Sequence, residues 1–251
     1  MPGWMSDLTQ DGFLDGRLLI AQPVRGYRSG ADAVMLAAAC SAERGQSVLE
    51  LGCGAGVASL CLGWRVPDLR LTGLERQANY ADLARQNAQA NGIAMRVITG
   101  DLAAMPAELR AESYDHVIAN PPYFLNGTCA SDDGRTEARH EQTALSLWVD
   151  AALRRLRPDG RVTLIHRADR LDAILAGLGA RAGAIVVLPI AARPGREAGR
   201  VIVTARKGAR TPLRLLAPLI THQAPSHLRD GEDLSQQSAD ILRAGRRINL
   251  G

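Results

Sequence analysis

The sequence lacks several features that would place it in large classes of protein. Its four cysteines form no C-x-x-C pair, which argues against a disulfide framework and predicts reduced thiols with no metal site. No apolar run approaches the roughly 20 residues that cross a bilayer, and the first residues carry no basic and apolar signal segment. We therefore expect a cytoplasmic protein with no membrane-spanning segment.

Lysine is nearly absent, and charge is distributed unevenly along the chain. Among the 30 basic residues only Lys207 is a lysine, and residues 1–150 carry a net charge of −6 while residues 151–251 carry +10. This asymmetry favours a polyanionic partner for the C-terminal part, because long-range attraction would steer such a partner toward it. A solvated, partner-free surface is the alternative.

The order of apolar runs predicts an α/β fold. The chain has 251 residues, and from residue 47 onward short runs rich in Val, Ile and Leu alternate with helical segments. The predicted strands are Ser47–Leu51, Arg70–Leu74, Met95–Thr99, Tyr114–Ala119, Arg161–His166, Ala184–Pro189 and Val201–Ala205. The clearest predicted helices are Gln77–Asn91 and Thr143–Leu156.

Two hairpins are predicted around this sheet. The last two strands are separated by only about ten residues, too few for a crossover helix, so they should pair antiparallel at the sheet edge. Upstream, residues 13–20 are typical of a small hairpin that turns at Asp15-Gly16. We expect seven strands, mostly parallel, with helices on both faces. The predicted parts are an N-terminal hairpin and helix (1–46), the sheet domain (47–220) and a C-terminal extension (221–251).

A glycine-rich turn follows the first strand of the predicted sheet. Glu50 lies within that strand, which continues into Gly52, Gly54 and Gly56 before an apolar helix. Glycines let the backbone approach a ligand closely, and the following helix offers free N–H groups. The third glycine comes one residue too early for the pyrophosphate pattern G-x-G-x-x-G, so a dinucleotide is disfavoured.

Acidic residues follow the next two strands. Glu75 ends the second strand, where a carboxylate can accept hydrogen bonds from both hydroxyls of a ribose, and Asp101-Leu102 follows the third. Ligands of open α/β sheets gather at the carboxyl ends of the strands. The joint placement of these acids with the glycine turn therefore predicts a nucleotide-like cofactor.

Four residues after the fourth strand complete the pattern, namely Asn120, Pro121, Pro122 and Tyr123. The prolines fix the backbone and remove donors, which leaves the Asn120 oxygen and a carbonyl as acceptors for an –NH₂ group. Tyr123 offers a flat surface for stacking. These features predict a site for an –NH₂ group, and the tetrapeptide resembles the catalytic motif of methyltransferases that act on planar exocyclic or amide nitrogens.

Together these motifs resemble those class I S-adenosylmethionine-dependent methyltransferases that carry a catalytic Asn-Pro-Pro-Tyr motif, and the resemblance implies a Rossmann-like sheet. The resemblance implies S-adenosyl-L-methionine as cofactor, bound by Glu50, Gly52, Gly54, Gly56, Glu75, Asp101, Leu102 and Asn120. In this family an acid such as Glu50 lies under the positive methionine end of the cofactor. The ribose and adenine contacts correspond to Glu75 and Asp101.

The motif order, with residues 22–34, resembles the bacterial tRNA adenine-N6 methyltransferases that modify the adenosine beside the anticodon of a valine tRNA. In that segment Arg28 and Asp32 are expected at the methionine end of the cofactor. An RNA substrate needs a basic surface, and the candidates in and after the edge hairpin are Arg193, Arg196, Arg200 and Lys207. Residues 221–251 match nothing assignable.

Three other functions remain open at this point. Methylation of a glutamine in a peptide-release factor uses the same tetrapeptide, but that family carries a helical domain in front, and only 46 residues precede the first strand here. Methylation of guanine N2 in rRNA is a second alternative. A catalytically silent RNA-binding module is the third, and the intact glycine and Asn-Pro-Pro-Tyr motifs argue against it.

Overall fold

The computed structural model describes residues 7–123, 145–224 and 233–251, so Cys129 and the start of the predicted helix Thr143–Leu156 lie outside the described residues. The helices and strands in chain order are β1 (Leu8–Phe13), β2 (Leu18–Pro23), α1 (Ala31–Ala39), β3 (Ser47–Leu51), α2 (Val57–Arg65), β4 (Arg70–Glu75), α3 (Ala78–Ala90), β5 (Met95–Thr99), α4 (Ala107–Arg110), β6 (Tyr114–Ala119), α5 (Leu145–Arg155), β7 (Leu156–Arg167), α6 (Leu171–Leu178), β8 (Ala182–Ala191), β9 (Ala198–Lys207), β10 (Arg214–Leu215), β11 (Leu219–Ile220) and α7 (Gln236–Leu242).

A nine-stranded sheet forms the centre of the fold, in the order β10-β8-β9-β7-β6-β3-β4-β5, with β11 also paired to β8. Within the described residues, β9 runs antiparallel to both of its neighbours and the other pairs in this sheet are parallel. The predicted hairpin of the last two strands is therefore confirmed. The count of seven strands is wrong, because β10 and β11 have two residues each and leave no hydrophobic pattern. They also extend the sheet beyond β8, so the hairpin is not its outermost element.

Helices cover both faces of the sheet, as predicted. Successive residues of a strand point to opposite faces: in β3, Val48 packs in one apolar cluster with α1 and α2, whereas Leu49 and Leu51 pack in a second cluster with α5 and α6. Burial on both sides explains why the parallel strands are near-continuous apolar runs. This packing fixes the carboxyl ends of the strands relative to one another.

The N-terminal hairpin β1–β2 has the predicted turn, with positive φ at Leu14, Asp15 and Gly16. Asparagines of α3 hold it in place. The Asn87 side chain accepts from the Ala21 N–H at 2.8 Å and donates to the carbonyls of Ala21 and Ala55, both at 3.0 Å. Since Ala55 belongs to the glycine turn, Asn87 connects the hairpin directly to the candidate cofactor site.

The ends of both predicted helices differ from the structure. Helix α3 is one residue shorter at each end than predicted, whereas α5 ends at Arg155 rather than Leu156. Strand β7 begins immediately afterwards and contains the Pro158-Asp159-Gly160 segment that was expected to terminate the helix.

Near the C-terminus, Ile241 and Ile248 are buried in the cluster of α1, and the Ile248 N–H donates to the Ala38 carbonyl at 2.9 Å.

No helix in the described part of the chain has the length and apolar character needed to cross a membrane. The described residues also contain no group of three histidine, cysteine or acidic side chains arranged to hold a metal ion.

Candidate active site

Four strand ends place the predicted site residues along one edge of the sheet. Leu51 at the end of β3 is paired with Leu74 of β4 on one side and with Ala119 of β6 on the other. Glu75 is paired with Thr99 at the end of β5. The residues that follow these strands, including the glycine turn and Asn120, therefore share the edge at which open α/β sheets bind ligands.

The glycine turn requires glycine at each of its three positions, as their positive φ values show. At Gly52 φ is +64°, and an added Cβ would lie 2.5 Å from Cη2 of Trp148 on α5. At Gly54 an added Cβ would meet the ring of Tyr27 at 3.6 Å. Gly56 precedes α2, whose first N–H groups face this edge of the sheet. The turn thus leaves a backbone surface that a ligand can approach closely.

Glu75 binds the turn directly. Its carboxylate accepts from the Gly54 N–H at 2.9 Å and from the Gln77 N–H at 2.8 Å. The Glu75 carbonyl accepts from the Gly100 N–H at 2.8 Å, which brings Asp101 next to it. Asp101 itself accepts from the Ala103 N–H at 2.8 Å, and Asp101 and Leu102 are both half-buried. Glu75 therefore lies against the glycine turn, and Asp101 directly follows the residue that bonds to the Glu75 backbone.

Glu50 is buried beneath the turn. One of its oxygens accepts from the Ser59 N–H at 2.9 Å and from the Ser59 hydroxyl at 2.5 Å. Burial raises the pKa of the Glu50 carboxyl to about 8, although the two bonds from Ser59 oppose that shift. Without a cation nearby, this carboxyl therefore stays largely protonated at neutral pH.

The Asn-Pro-Pro-Tyr turn follows β6 and meets residues from two distant segments. The Tyr123 hydroxyl lies 2.6 Å from Oδ2 of Asp32 and 2.7 Å from Oδ1 of Asn120. The Arg200 guanidinium lies over the Tyr123 ring, 4.6 Å from its centroid, and donates through Nε to Asp32 at 3.0 Å. The His166 ring meets the Tyr123 ring edge-on, with the centroids 5.1 Å apart. Tyr123 is thereby held on several sides.

Burial and the nearby Asp32 carboxylate raise the pKa of the Tyr123 hydroxyl above its ordinary value of 10. Tyr123 is therefore a neutral hydrogen-bond donor at physiological pH. Its ring and hydroxyl can orient neighbouring groups, and it has no tendency to act as a base.

Tyr27 is a site residue that the sequence analysis missed. Its ring lies over Gly54, its hydroxyl lies 3.4 Å from Nδ2 of Asn120, and its carbonyl accepts from the Tyr80 hydroxyl at 2.8 Å. It thus spans the glycine turn and the Asn-Pro-Pro-Tyr turn. Two features of the sequence point to Tyr27: it is aromatic in a chain with only 4% aromatics, and it lies in the same segment as the candidates Arg28 and Asp32.

The neighbouring Arg28, expected at the methionine end of the cofactor, binds the N-terminal hairpin. Its guanidinium binds Asp11 at 2.6 Å and also donates to Thr9 and to the Pro23 carbonyl, both at 2.8 Å. These contacts commit Arg28 to the N-terminal hairpin. Asp32, by contrast, reaches the Asn-Pro-Pro-Tyr turn.

The four predicted RNA-binding cations occupy different environments. Arg193 is mostly buried and binds Asp233 at 2.7 Å as well as the Ala224 carbonyl. Lys207 lies at the opposite edge of the sheet, where it donates to the Leu156 carbonyl at 2.6 Å. Arg200 belongs to the Tyr123 cluster, and Arg196 is exposed in the turn between β8 and β9. Only Arg196 of these four combines exposure with a position at the edge of the candidate site.

Comparison with known proteins agrees with this geometry. The family model for the methyltransferase small domain matches residues 30–173, more than half of the chain. The chain belongs to this methyltransferase family. It is 29% identical to a tRNA1(Val) (adenine(37)-N6)-methyltransferase of Porphyromonas gingivalis, over 94% of this chain and 99% of that protein. It is 33% identical to the protein of the same name from Aeromonas hydrophila, over 71% of this chain and 76% of that protein.

The methyltransferase fold is also seen in solved structures. The crystal structure of protein Atu636 from Agrobacterium tumefaciens, described as a predicted O-methyltransferase, superposes with a TM-score of 0.70 at 28% identity and covers 87% of this chain and 98% of that chain. The family and these relatives show that the chain is an S-adenosylmethionine-dependent methyltransferase with a Rossmann-like sheet.

Proposed function

We propose that this methyltransferase methylates N6 of an adenine in tRNA, and specifically adenine 37 of a valine tRNA. The observation that carries the proposal is the position of Asn120, whose amide faces Tyr27 and Tyr123 beside the glycine turn. The names of the Porphyromonas and Aeromonas relatives support the choice of substrate. A tRNA substrate would also fit a cytoplasmic location.

The chemistry of the Asn-Pro-Pro-Tyr turn fits a nitrogen acceptor. An exocyclic amino group is a poor nucleophile, because its lone pair is delocalised into the ring. The Asn120 oxygen and the Pro121 carbonyl can accept hydrogen bonds from both N–H groups of this amine and thereby favour a more tetrahedral nitrogen. Pro121 and Pro122 have no N–H groups that would compete for these acceptors. A hydroxyl group as methyl acceptor has only one hydrogen and would not need two hydrogen-bond acceptors at this position.

The cofactor fits the residues at the glycine turn. The glycine turn and the start of α2 suit a nucleoside that lies against them, with Glu75 as the acceptor for its ribose hydroxyls and Asp101 as a contact for its adenine. When bound, S-adenosylmethionine supplies a methyl group activated by a sulfonium. The protein's own residues orient the acceptor amine and neutralise charge, so no residue needs covalent modification.

Glu50 should give cofactor binding a pH dependence. Because its pKa is about 8 in the free protein and a sulfonium favours the carboxylate, binding should release a proton below pH 8. Affinity should therefore rise as the pH approaches 8 from below and then level off. We expect calorimetry in buffers of different ionisation enthalpy to detect more proton release with S-adenosylmethionine than with S-adenosylhomocysteine, which has the same amino group but no sulfonium. The excess should disappear in Glu50→Gln, and equal release for both ligands would contradict this role.

Arg196 should contribute to RNA affinity through phosphate contacts. Arg196→Glu is expected to weaken tRNA binding and to reduce the slope of log Kd against log salt by about one. Arg210→Glu is the matched control, because Arg210 is equally an exposed arginine but follows the end of β9 at the opposite edge of the sheet. Equal slopes for the two variants would exclude Arg196 from the RNA interface.

The decisive test of the function is methylation of a defined transcript. The protein should transfer labelled methyl groups to an unmodified valine tRNA, and nuclease digestion should release N6-methyladenosine. The same transcript with guanine at position 37 is the control and should remain unlabelled. Label in a second control, total protein, would instead support glutamine methylation. Total RNA is a third substrate, and N2-methylguanosine in its digest would support the guanine alternative. No transfer to the transcript, to total RNA or to total protein would support a silent RNA-binding protein.

A further inference from the structure

The contacts of the Tyr123 hydroxyl contain a conflict over one hydrogen. The oxygen lies within hydrogen-bond distance of Oδ2 of Asp32, at 2.6 Å, and of Oδ1 of Asn120, at 2.7 Å. Both of these atoms are acceptors, but a tyrosine hydroxyl has a single hydrogen to donate. Tyr123 can therefore donate to only one of these two oxygens, and the group that carries the other one must be oriented differently.

The Tyr123 hydroxyl donates its hydrogen bond to Asp32 rather than to Asn120. Hydrogen bonds to a carboxylate are shorter and about twice as strong as bonds between neutral groups. In addition, Arg200 donates to the same Asp32 oxygen at 3.0 Å while its guanidinium covers the Tyr123 ring, which keeps the carboxylate in place. Burial of Tyr123 and the charge of Asp32 both raise the pKa of the hydroxyl, so the hydrogen stays on Tyr123.

This assignment determines the orientation of the Asn120 amide. An amide oxygen 2.7 Å from a phenolic oxygen with no hydrogen between them would be repelled. Rotating the amide by 180° exchanges its oxygen and nitrogen, and Nδ2 of Asn120 then donates to Tyr123 while the oxygen faces the Tyr27 hydroxyl. The separation from Tyr27 is 3.4 Å, at the long limit for a hydrogen bond, so the Asn120 oxygen stays available to a better donor.

We propose that Asp32 is a positioning residue, which binds the hydrogen of Tyr123 and thereby holds the Asn120 oxygen toward the Tyr27 side of the site, where the amine is methylated. This inference rests on the proposed function and deepens it. Arg200, which the sequence suggested as an RNA contact, serves the same arrangement by holding Asp32. If Asp32 is lost, the Tyr123 hydroxyl donates to the Asn120 oxygen and occupies the acceptor that the substrate needs.

The kinetic test is a double-mutant cycle between Asp32 and Tyr123. Asp32→Leu should lower kcat by about 10²-fold, the size of effect expected for a misoriented group, with the KM for RNA and the Kd for cofactor changed less than about twofold. Asp32→Asn should recover part of this loss, because its amide oxygen can still accept from Tyr123. In a Tyr123→Phe background there is no hydroxyl to compete, so Asp32→Leu should have little further effect.

Asp11 provides a matched control. It pairs with Arg28 as Asp32 pairs with Arg200, and the exposed fractions of the side chains are nearly identical, 36% and 25% against 36% and 26%. Asp11→Leu should lower stability to a similar extent and leave kcat largely unchanged. Multiplicative effects of Asp32→Leu and Tyr123→Phe on kcat, or a raised Kd for cofactor in Asp32→Leu alone, would overturn the proposal.

A measurement without substrate separates this inference from the proposed function. Neutron diffraction from deuterium-exchanged crystals of the unmodified protein should locate the deuterium between Tyr123 and Asp32, with the Asn120 ND₂ group toward Tyr123. Deuterium between Tyr123 and Asn120 would overturn the inference, whatever the enzyme methylates. If the nuclear positions are as expected and valine tRNA is not methylated, the proposed substrate alone fails.

Discussion

Replacing Asn120 by alanine is expected to abolish methyl transfer while leaving the affinity for S-adenosylmethionine largely intact. The side-chain oxygen is one of the two acceptors proposed for the amine, and removing a single preorganised hydrogen-bonding group of this kind lowers kcat by about 10²- to 10³-fold. The groups proposed to hold the cofactor, Glu75 and the backbone of the glycine turn, belong to β4 and to the loop after β3. The effect should therefore fall on kcat.

Single-turnover methylation and calorimetric titration of cofactor measure these two quantities separately. Asn91→Ala is the control, because the Asn91 amide is likewise hydrogen-bonded, at 3.0 Å and 2.9 Å to the Leu19 backbone, but lies just after α3 and away from the proposed acceptor site. It should retain nearly full kcat with some loss of stability. Activity of Asn120→Ala within about tenfold of the unaltered protein would show that the amide does not act on the acceptor.

The sequence predicts the parts of the site that depend on local backbone chemistry. Gly52, Gly54 and Gly56 are recognisable because the turn needs positive φ at each of them. Glu75 is recognisable because a parallel strand ends there, and the register of β3 and β4 carries it to the turn. Each of these signals depends on the residues directly beside it in the sequence, and the parallel register of β3 and β4 brings them together.

Tyr27 and Arg200 could not be located in the site from the sequence, because their positions depend on long-range packing. Tyr27 reaches Gly54 through a loop whose carbonyl is held by Tyr80 on α3. Arg200 reaches Asp32 because β9 is inserted antiparallel beside β7, which places its start at the carboxyl edge of the sheet. No residue near Arg200 in the sequence indicates its contact, and the nearby Asp32 points to the segment of Tyr27 but not to its contact with Gly54.

The charge asymmetry of the chain has a partly internal explanation. Basic residues of the second half pair with acids of the first half, and three such ion pairs are Arg157–Asp115, Arg181–Asp150 and Arg200–Asp32. A surplus of arginine in residues 151–251 therefore serves partly to join the two halves of the fold. The proposed RNA surface would be built from the remaining exposed arginines, which include Arg196, so the total charge of this half overestimates it.

Gly52→Ala should destabilise the protein and eliminate cofactor binding. A non-glycine residue at φ +64° is strained by about 1–2 kcal/mol, and the added Cβ would lie 2.5 Å from Trp148, which adds an overpacking penalty of about 1–3 kcal/mol. Either Trp148 or the turn must move. Since Trp148 is packed in the core beside α6, we expect the turn to move and the backbone surface for the cofactor to be lost.

Two variants separate strain from close approach. Gly45 has φ +80° and nothing within 4 Å of an added Cβ, so Gly45→Ala should show the strain alone. Trp148→Phe removes the outer ring atoms of the indole, and in combination with Gly52→Ala it should restore part of the stability and of the cofactor affinity. Urea unfolding and calorimetric titration measure both. An equal loss of stability in Gly45→Ala and Gly52→Ala, or no recovery in the double variant, would show that contact with Trp148 does not determine the shape of the cofactor turn.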